Sequence, residues 1–380
     1  MRTTFHNSDT DNRGDTMVYH LPYALPQNAT GGSSVRPVQM LAAFRRTHRN
    51  VFLIEGHGKQ RQKSMQALIQ KIDNGLNVDF VYSESSTQPN ALTEPNHFPR
   101  YWRLDRSFFR TLNCLNVPIG VFYRDIYWRF PVYKQNVPLP KRLIAQLFYW
   151  HDWHTYQRYV DHLFLPSQAM SEFLPTSWPA SRFSELPPAC TLKNFAKHEG
   201  GQHALRLFYV GGIAPPLYDI RKLFEIASRI QNVELTVCCR QNEWATHSSL
   251  YEKYLTNRTK IVHASGQDLN AIYSSHDISV IFREHDAYLD FAMPVKVFEA
   301  LGHTMPLLVN SGTAVSDFVT EEQIGWCVNS VEDAVSLLRG LQERDLAEVT
   351  QRIKARQQFH TWDARAIQVQ RTLRKITEQQ

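Results

Sequence analysis

Residues 291–311 read Phe-Ala-Met-Pro-Val-Lys-Val-Phe-Glu-Ala-Leu-Gly-His-Thr-Met-Pro-Leu-Leu-Val-Asn-Ser, and this stretch decides how the rest of the chain is interpreted. Pro294 can occupy the first turn of a helix, because its missing N–H is not needed there. The pattern predicts a short helix that ends at Gly302 and a tight turn that leads into a buried strand. Lys296 and Glu299 are three residues apart and therefore share one face of that helix.

A helix that opens with a lysine is suited to hold a phosphate. Its first N–H groups lack partners and carry a partial positive charge, to which Lys296 adds a full charge. Glu299 can accept hydrogen bonds from the two hydroxyls of a ribose. The spacing alone is equally consistent with a solvated ion pair between the two side chains, so the choice depends on the surrounding segment.

The segment from Met293 to Leu308 resembles the nucleotide-sugar motif of GT-B glycosyltransferases, in particular the retaining family-4-type enzymes. Its Pro-x-Lys-x-x-Glu order, followed by Gly and Pro, matches their pattern. The resemblance implies a UDP- or GDP-sugar donor, with Glu299 as a ribose ligand. The chain departs from the family at the first glutamate of a Glu-x7-Glu pair, where it has Phe291 beside Asp290, and that role stays open.

The length and composition fit two α/β domains. The chain has 380 residues, of which 43% are hydrophobic, and predicted strands alternate with helices in both halves. We therefore predict two doubly wound Rossmann-like domains that face each other across a cleft, as in the GT-B fold. The predicted parts are a disordered leader at 1–16, an acceptor domain at 17–175, a linker at 176–204, a nucleotide-sugar-binding domain at 205–360, and a helix at 361–380 that crosses back to the first domain.

The net charge of +6 is unevenly distributed along the chain. Residues 1–175 contain 20 Lys and Arg against 13 Asp and Glu, whereas residues 176–380 contain 22 against 23. A basic half can meet nucleic acid, an anionic membrane or a phosphorylated acceptor. Because the sequence has no helix-turn-helix, zinc-finger or RNA-binding motif, we expect no nucleic-acid partner and a weak association with anionic membranes.

The compartment follows from the cysteines and the hydropathy pattern. The five cysteines form no Cys-x-x-Cys pair, so neither a zinc site nor a disulfide framework is predicted. No run approaches the roughly 20 apolar residues of a membrane-spanning helix. We expect a cytoplasmic protein. A peripheral position on the inner face of the membrane is compatible with this expectation. An aromatic and basic helix predicted at 140–159 fits either the core or a bilayer interface, and we favour the core.

Several residues of the second half follow predicted strands, where ligands of open α/β sheets bind. Glycines there can offer backbone N–H groups to a pyrophosphate, and an arginine offers a planar charged fork. By resemblance, a loop after another strand binds the base. These candidates for nucleotide-sugar binding are Gly211, Gly212, Arg240, His263 and Ser265, with Arg283 as an alternative cation.

Arg124 and Asp125 follow a buried strand of the first half and are the predicted catalytic residues. A structural contact between the two that only holds a loop is the alternative. Gly31 and Gly32 precede a helix, where glycine lets a backbone approach a bound group closely, and form the predicted donor and acceptor loop. A flexible turn explains these glycines equally well. The resemblance implies no metal, since positive groups stabilise the departing nucleoside diphosphate.

By resemblance, the function is that of a glycosyltransferase. It would transfer a sugar, with retention of configuration, to a saccharide or lipid-linked acceptor in surface-polysaccharide assembly. One alternative is a GT-B epimerase, which would change the donor without an acceptor. The other is a non-catalytic nucleotide-sugar-binding subunit of a transferase complex, for which the missing first glutamate is the best argument.

Overall fold

A computed structural model describes residues 16–26, 32–193 and 204–378. Within these residues, twelve strands form two parallel sheets of six strands each. Each sheet has a cluster of buried side chains on both of its faces. The predicted fold class of two doubly wound α/β units is confirmed. The predicted leader lies outside the described residues except for Thr16, which begins the first strand.

The first sheet consists of β1 (Thr16–His20), β2 (Asn50–Ile54), β3 (Val78–Glu84), β4 (Ile119–Phe122), β5 (His162–Leu165) and β6 (Phe183–Glu185). Its strand order is β2-β1-β3-β4-β5-β6, and all neighbours are parallel. The four inner strands are fully buried, whereas the two edge strands are partly exposed. Burial on both faces explains why the inner strands are largely hydrophobic.

The helices of the first half are α1 (Gly32–Thr47), α2 (Gly58–Asp73), α3 (Leu104–Cys114), α4 (Pro131–Asn136) and α5 (Leu139–Tyr159). Helix α5 divides into two parts. Its C-terminal part buries Trp153 and Tyr156 in the core, as predicted. Its N-terminal turns expose Leu143 and Leu147, so the predicted core position is wrong there.

The second sheet has the order β12-β11-β10-β7-β8-β9 and is also parallel. Its strands are β7 (Leu205–Val210), β8 (Val233–Cys238), β9 (Thr259–Val262), β10 (Ile278–Ile281), β11 (Leu307–Asn310) and β12 (Gly325–Val328). The remaining helices are α6 (Arg221–Ser228), α7 (Gln241–His247), α8 (Asp268–Ser274), α9 (Ala287–Asp290), α10 (Val295–Gly302), α11 (Ala314–Glu322), α12 (Val331–Gly340), α13 (Glu343–Arg356) and α14 (Trp362–Thr377).

Helix α10 is the helix predicted from the opening segment. Its side chains Phe298 and Leu301 are buried, and Pro294 precedes its first residue. Gly302 is its last residue, and a side chain there would meet the carbonyl of Thr191 at 2.5 Å. The same glycine accepts a hydrogen bond from the amide of Lys193 at 3.0 Å. The glycine thus allows the segment between the two sheets to pass against the end of α10.

The C-terminal helix α14 packs against α1 and the face of the first sheet. Arg374 of α14 forms an ion pair with Asp79 at 2.6 Å, and Asp363 pairs with Arg46 of α1. Leu373 is fully buried and lies against Gly120, where a side chain would come within 2.9 Å of it. The last helix therefore completes the hydrophobic core of the first half.

One predicted boundary differs from the structure. The stretch 176–204 is predicted as a linker, yet β6 lies inside it and pairs with β5 as the edge of the first sheet. The last helix, predicted at 361–380, is α14 over Trp362–Thr377. The hydroxyl of Thr361 accepts a hydrogen bond from the amide of Ala364 and caps this helix.

The basic loop of the first half, residues 56–63, includes the start of α2, where Lys59 and Lys63 are exposed but Arg61 is not. Arg61 is 1% exposed and pairs with the buried Asp105, which also lies 3.3 Å from His20. Burial alone would raise the pKa of the Asp105 carboxyl, but Arg61 and His20 hold it below its usual range. Arg61 therefore supports the core and is not available to a membrane surface.

Candidate active site

A cleft of about 850 Å³ lies between the two sheets, at the carboxyl ends of their strands. Segments of both halves line it, as expected for ligand sites of open α/β sheets. The predicted residues that line it are Arg124, Asp125, Gly211, Gly212, Arg240, His263, Ser265, Lys296 and Glu299. Gly32 is the first residue of α1 and Gly31 lies outside the described residues, so the donor and acceptor loop stays a prediction.

Lys296 lies in the first turn of α10, and its amine is placed against Gly211 at the end of β7. A side-chain carbon on Gly211 would lie 2.4 Å from Lys296 Nζ, so the glycine makes room for the amine. Burial lowers the pKa of Lys296 from 10.5 to about 8, although nearby Glu299 acts in the opposite direction. The amine is therefore a half-buried cation that is still mostly charged at neutral pH.

Glu299 follows one turn after Lys296 and also borders the cleft. It accepts a hydrogen bond from the hydroxyl of Tyr273 at 3.2 Å. Burial raises the pKa of its carboxyl, and Lys296 partly offsets that effect. Because both side chains are half-buried and border the cleft, the alternative of a solvated surface ion pair is wrong.

Gly211, the first glycine after β7, acts differently from the prediction. The amide of Gly211 donates to the carbonyl of Cys238 at 2.9 Å, so in this structure it is not available to a phosphate. The amide of Ile213, two residues further along, donates to the carboxylate of Glu243 at 3.1 Å. Gly211 serves the site through the space that it leaves for Lys296, and not through its N–H group.

Arg240 directly precedes α7 at the rim of the cleft. Its side chain is 77% exposed and pairs with Glu243 three residues later. Arg283, the alternative cation, is half-buried and donates to the carbonyl of Leu289 at 2.8 Å. Burial lowers the pKa of Arg283. Arg240 therefore offers a mobile charge at the entrance, whereas Arg283 supports the backbone of the segment before α10.

His263 and Ser265 lie in the loop after β9, on the wall of the cleft beside Cys239. The ring of His263 is held by a 2.9 Å hydrogen bond between its Nδ1 and the carbonyl of Cys239. Ser265 is exposed on the same loop. This part of the cleft offers backbone groups and one hydroxyl, which are the groups that the prediction assigns to base binding.

On the opposite wall, Arg124 is part of a buried charged cluster. Its guanidinium donates to Glu84 at 3.0 Å and to the hydroxyl of Tyr23 at 2.8 Å. Glu84 is fully buried and also pairs with Arg36 at 3.2 Å. Arg36 lies over the ring of Phe122, 3.5 Å from its centre. Two arginines thus share one carboxylate within this cluster.

Asp125 connects the two halves of the molecule. Its carboxylate accepts hydrogen bonds from the amide of Tyr127 at 2.9 Å and from the hydroxyl of Tyr288 at 3.1 Å. Tyr288 belongs to α9, in the second half. Burial raises the pKa of Asp125, and these two hydrogen bonds partly offset the shift. The carboxylate therefore lines the cleft in a fixed orientation. These hydrogen bonds hold the Asp125 carboxylate. The alternative, a contact between Arg124 and Asp125, does not hold it, since Arg124 pairs with Glu84.

The position of the missing first glutamate is filled by a buried ring. Phe291 packs against Phe130 and Phe173 of the first half, with ring centres 5.6 Å and 5.3 Å apart. The carboxylate of Asp290 instead lies 3.2 Å from His285, and Asp290 is not a lining residue of the cleft. Asp290 therefore does not take over the place of that glutamate.

Four residues of the site escape the sequence analysis: Arg36, Glu84, Glu243 and Tyr288. Glu84 ends a buried strand, which is a signal of the same kind as the one that singles out Arg124. The others lie inside helices and acquire their roles only through tertiary contacts. Among the described residues, no group of three His, Cys, Asp or Glu side chains is arranged to hold a metal ion. No helix in the described part is long and apolar enough to cross a membrane.

Comparison with known proteins agrees with this architecture. Residues 220–361 match the family model of the glucosyltransferase 3-like, C-terminal domain. The structure superposes on a glycosyltransferase from Rickettsia africae with a TM-score of 0.62 at 10% identity, over 97% of this chain and 100% of that one. HepE of Anabaena, in complex with UDP and glucose, gives a TM-score of 0.60 at 12% identity, over 94% and 98% of the two chains. The fold is the GT-B fold.

WaaG, a glycosyltransferase involved in lipopolysaccharide biosynthesis, shares this GT-B fold with a TM-score of 0.55 at 12% identity. The superposition covers 94% of this chain and 99% of the WaaG chain. A search of curated proteins finds no match. In GT-B terms, the two sheets are the two halves of the enzyme fold, and the cleft between them is the place where the candidate residues meet.

Proposed function

We propose that the protein is a glycosyltransferase that moves a sugar from a UDP-sugar to a saccharide or lipid-linked acceptor. The observation that carries the proposal is that Lys296, Glu299 and Asp125 border one cleft between two GT-B halves. The matched glucosyltransferase 3-like domain contains Lys296 and Glu299. Anabaena HepE has been solved with UDP and with UDP-glucose, which favours a UDP donor over a GDP donor.

The second half binds the donor in this proposal. Glu299 accepts hydrogen bonds from the ribose, and the loop of His263 and Ser265 contacts the base. The Lys296 amine approaches the diphosphate, and Arg240 reaches it from the rim. Burial makes the Lys296 charge costly in the empty site, so a diphosphate that replaces the lost hydration interacts with it more strongly than it would in water.

The reaction breaks the bond between the anomeric carbon and the diphosphate oxygen and forms a bond to the acceptor oxygen. Negative charge grows on the departing UDP, and Lys296 and Arg240 stabilise it. With retention, as in the family-4-type resemblance, the acceptor attacks from the face that UDP leaves and its proton passes to the leaving phosphate. Asp125 orients the reacting sugar or accepts a hydrogen bond from the acceptor hydroxyl, and Arg124 fixes the wall beside it.

The proposed setting is the assembly of a surface polysaccharide in the cytoplasm, at the inner face of a membrane. The basic first half supports a weak attraction to anionic lipids. The involvement of the structurally similar WaaG in lipopolysaccharide biosynthesis supports a saccharide acceptor. The first half, up to the end of β6, would then hold the acceptor, and the second half would hold the donor.

A binding and turnover experiment tests the function. Purified protein is titrated with UDP and GDP in a thermal-shift assay, and release of UDP from UDP-sugars is then measured with and without saccharide acceptors. We expect UDP to raise the melting temperature more than GDP, because a ligand that binds only the folded state stabilises it. Glu299→Ala should weaken UDP binding by about tenfold or more, since hydrogen bonds to a charged group contribute roughly 1.5–3 kcal/mol each.

Glu332→Ala is the control, because Glu332 is exposed on α12, away from the cleft. Unchanged UDP affinity in Glu299→Ala would remove the ribose assignment. UDP-sugar binding without any UDP release would favour the non-catalytic subunit over the transferase. Conversion of one UDP-sugar into another in the absence of acceptor would favour the epimerase.

A further inference from the structure

The first half of the molecule carries an exposed apolar stripe on α5. Four side chains of its N-terminal turns are more than half exposed: Leu139 (56%), Leu143 (59%), Ile144 (52%) and Leu147 (66%). The sequence positions 139, 143 and 147 recur every four residues, which places them on one side of the helix. Scattered exposed leucines are ordinary, but four on adjoining positions of a single helix form a patch.

The stripe continues onto the turn before α3. One turn beyond Leu147, the ring of His151 packs edge-on against Trp102, with ring centres 5.3 Å apart. Trp102 is itself 40% exposed, and the guanidinium of Arg103 lies 4.3 Å from the centre of its ring. An aromatic side chain with a polar edge beside a cation is typical of residues that contact a membrane interface.

The charged side chains in the segment that carries the stripe have one sign. Residues 126–151 contain four Lys and Arg side chains and no Asp or Glu. Lys134 and Lys141 are exposed. At about 100° per residue, Lys141 and Arg142 project about 60° beyond either edge of the stripe. An apolar stripe bordered by cations is the arrangement of helices that lie in the surface of an anionic bilayer.

We infer that the N-terminal turns of α5, together with Trp102, form a contact surface for an anionic lipid bilayer. The leucines enter the acyl boundary, and the flanking Lys and Arg side chains meet the lipid phosphates. A second copy of the chain is a poorer occupant. A symmetric contact would place Lys141 and Arg142 of one copy close to the same charges of the other.

This surface differs from the basic loop that composition alone suggests, because Arg61 of that loop is buried against Asp105. It also lies outside the cleft, since no residue of α5 lines the cleft. The contact therefore does not depend on the proposed transfer reaction. It can be measured with no nucleotide present.

The test is co-sedimentation of the full chain with vesicles of phosphatidylcholine alone or mixed with phosphatidylglycerol. We expect binding to the mixed vesicles only, and weaker binding as salt rises. Leu143→Ser/Leu147→Ser should lower the partition coefficient at least about tenfold, since each leucine loses most of its apolar contribution. Lys134→Gln/Lys141→Gln should lower it by about fivefold for each charge removed.

Two double variants serve as matched controls. Leu250→Ser/Leu255→Ser removes leucines of the second half that are 38% and 40% exposed, and Lys354→Gln/Lys375→Gln removes two exposed charges elsewhere. Both should bind vesicles like the wild type, and all variants should keep the wild-type melting temperature and response to UDP. If both α5 variants bind as the wild type does, or if neutral and mixed vesicles bind equally, the proposal is wrong.

Sedimentation velocity without lipid tests whether the stripe is a self-association surface. We expect a monomer for the wild type and for Leu143→Ser/Leu147→Ser. A wild-type dimer that the leucine variant converts to monomer would show that the stripe is a self-association surface, and this would overturn the assignment to a bilayer.

Discussion

Replacement of Lys296 by methionine is expected to stabilise the ligand-free protein and to weaken nucleotide binding. Burial lowers the pKa of the Lys296 amine from 10.5 to about 8, even though Glu299 acts in the opposite direction. At about 1.4 kcal/mol per tenfold change, holding the charged amine in the fold costs about 3 kcal/mol relative to the unfolded chain. Because the side chain is only half-buried, we take about 1–3 kcal/mol as the expected gain.

The pH dependence separates this effect from better packing by methionine. Below about pH 8, Lys296 is charged in both the folded and the unfolded chain, and the destabilisation is complete. Between about pH 8 and 10.5 the unfolded chain binds more protons, so wild-type stability rises with pH relative to that of Lys296→Met. The difference in unfolding free energy should therefore be largest near neutral pH and should disappear above about pH 10.5.

Urea unfolding with and without UDP measures both effects. Without UDP at neutral pH, Lys296→Met should be the more stable protein. With UDP at about 100 times its dissociation constant the wild type gains about 2.7 kcal/mol, so the order should approach equality or reverse. Lys222→Met is the control, because Lys222 is an exposed surface side chain that pairs with Glu284. A Lys296→Met protein that is less stable at neutral pH, or one that UDP stabilises as much as the wild type, would refute the reasoning.

Three further predictions concern the walls of the cleft. Gly211→Ala would place a new carbon 2.4 Å from Lys296 Nζ and 2.8 Å from the hydroxyl of the buried Tyr209, so both groups must move. A UDP titration should show a dissociation constant raised by about tenfold or more, and an unchanged value would contradict the placement of the amine. Asp125→Asn should keep UDP affinity and lower transfer by about 100-fold, whereas loss of melting temperature with a normal rate would indicate a structural role. Tyr288→Phe removes a hydrogen bond that lowers the pKa of Asp125, so the acid limb of the rate–pH profile should move to higher pH, and an unmoved limb would separate Tyr288 from the chemistry.

The fold was accessible from the sequence wherever burial is uniform. Inner strands such as β4 and β5 lie under helices on both faces, and their hydrophobic runs identify them. The edge strand β6 has three residues, and two of them are polar, so no pattern marks it. The start of α14 also left a signal, because Thr361 stands at the cap position of the helix predicted at 361–380.

The sequence predicts the chemical groups of the candidate site, but it does not predict the contacts between them. A lysine, a glutamate and an aspartate at the ends of predicted elements are enough to predict that Lys296, Glu299 and Asp125 border the cleft. The partner of Asp125 is a tyrosine 163 residues away in the chain, and no local pattern predicts a contact of that kind. The sequence likewise does not show why position 211 is a glycine, because the reason depends on where the amine of Lys296 lies in the folded chain.

The ring of Phe291 gives a physical reason for the departure from the Glu-x7-Glu pattern. It is 5% exposed and packs among aromatic side chains of the first half, and its carbonyl accepts a hydrogen bond from Ser167 of that half. A glutamate at this position would place a carboxylate among the rings of Phe130 and Phe173, which is costly in a protein interior. The apolar side chain thus joins the segment before α10 to the first half, four residues ahead of the start of the helix that carries Lys296. Position 291 therefore fixes α10 relative to the opposite wall of the cleft.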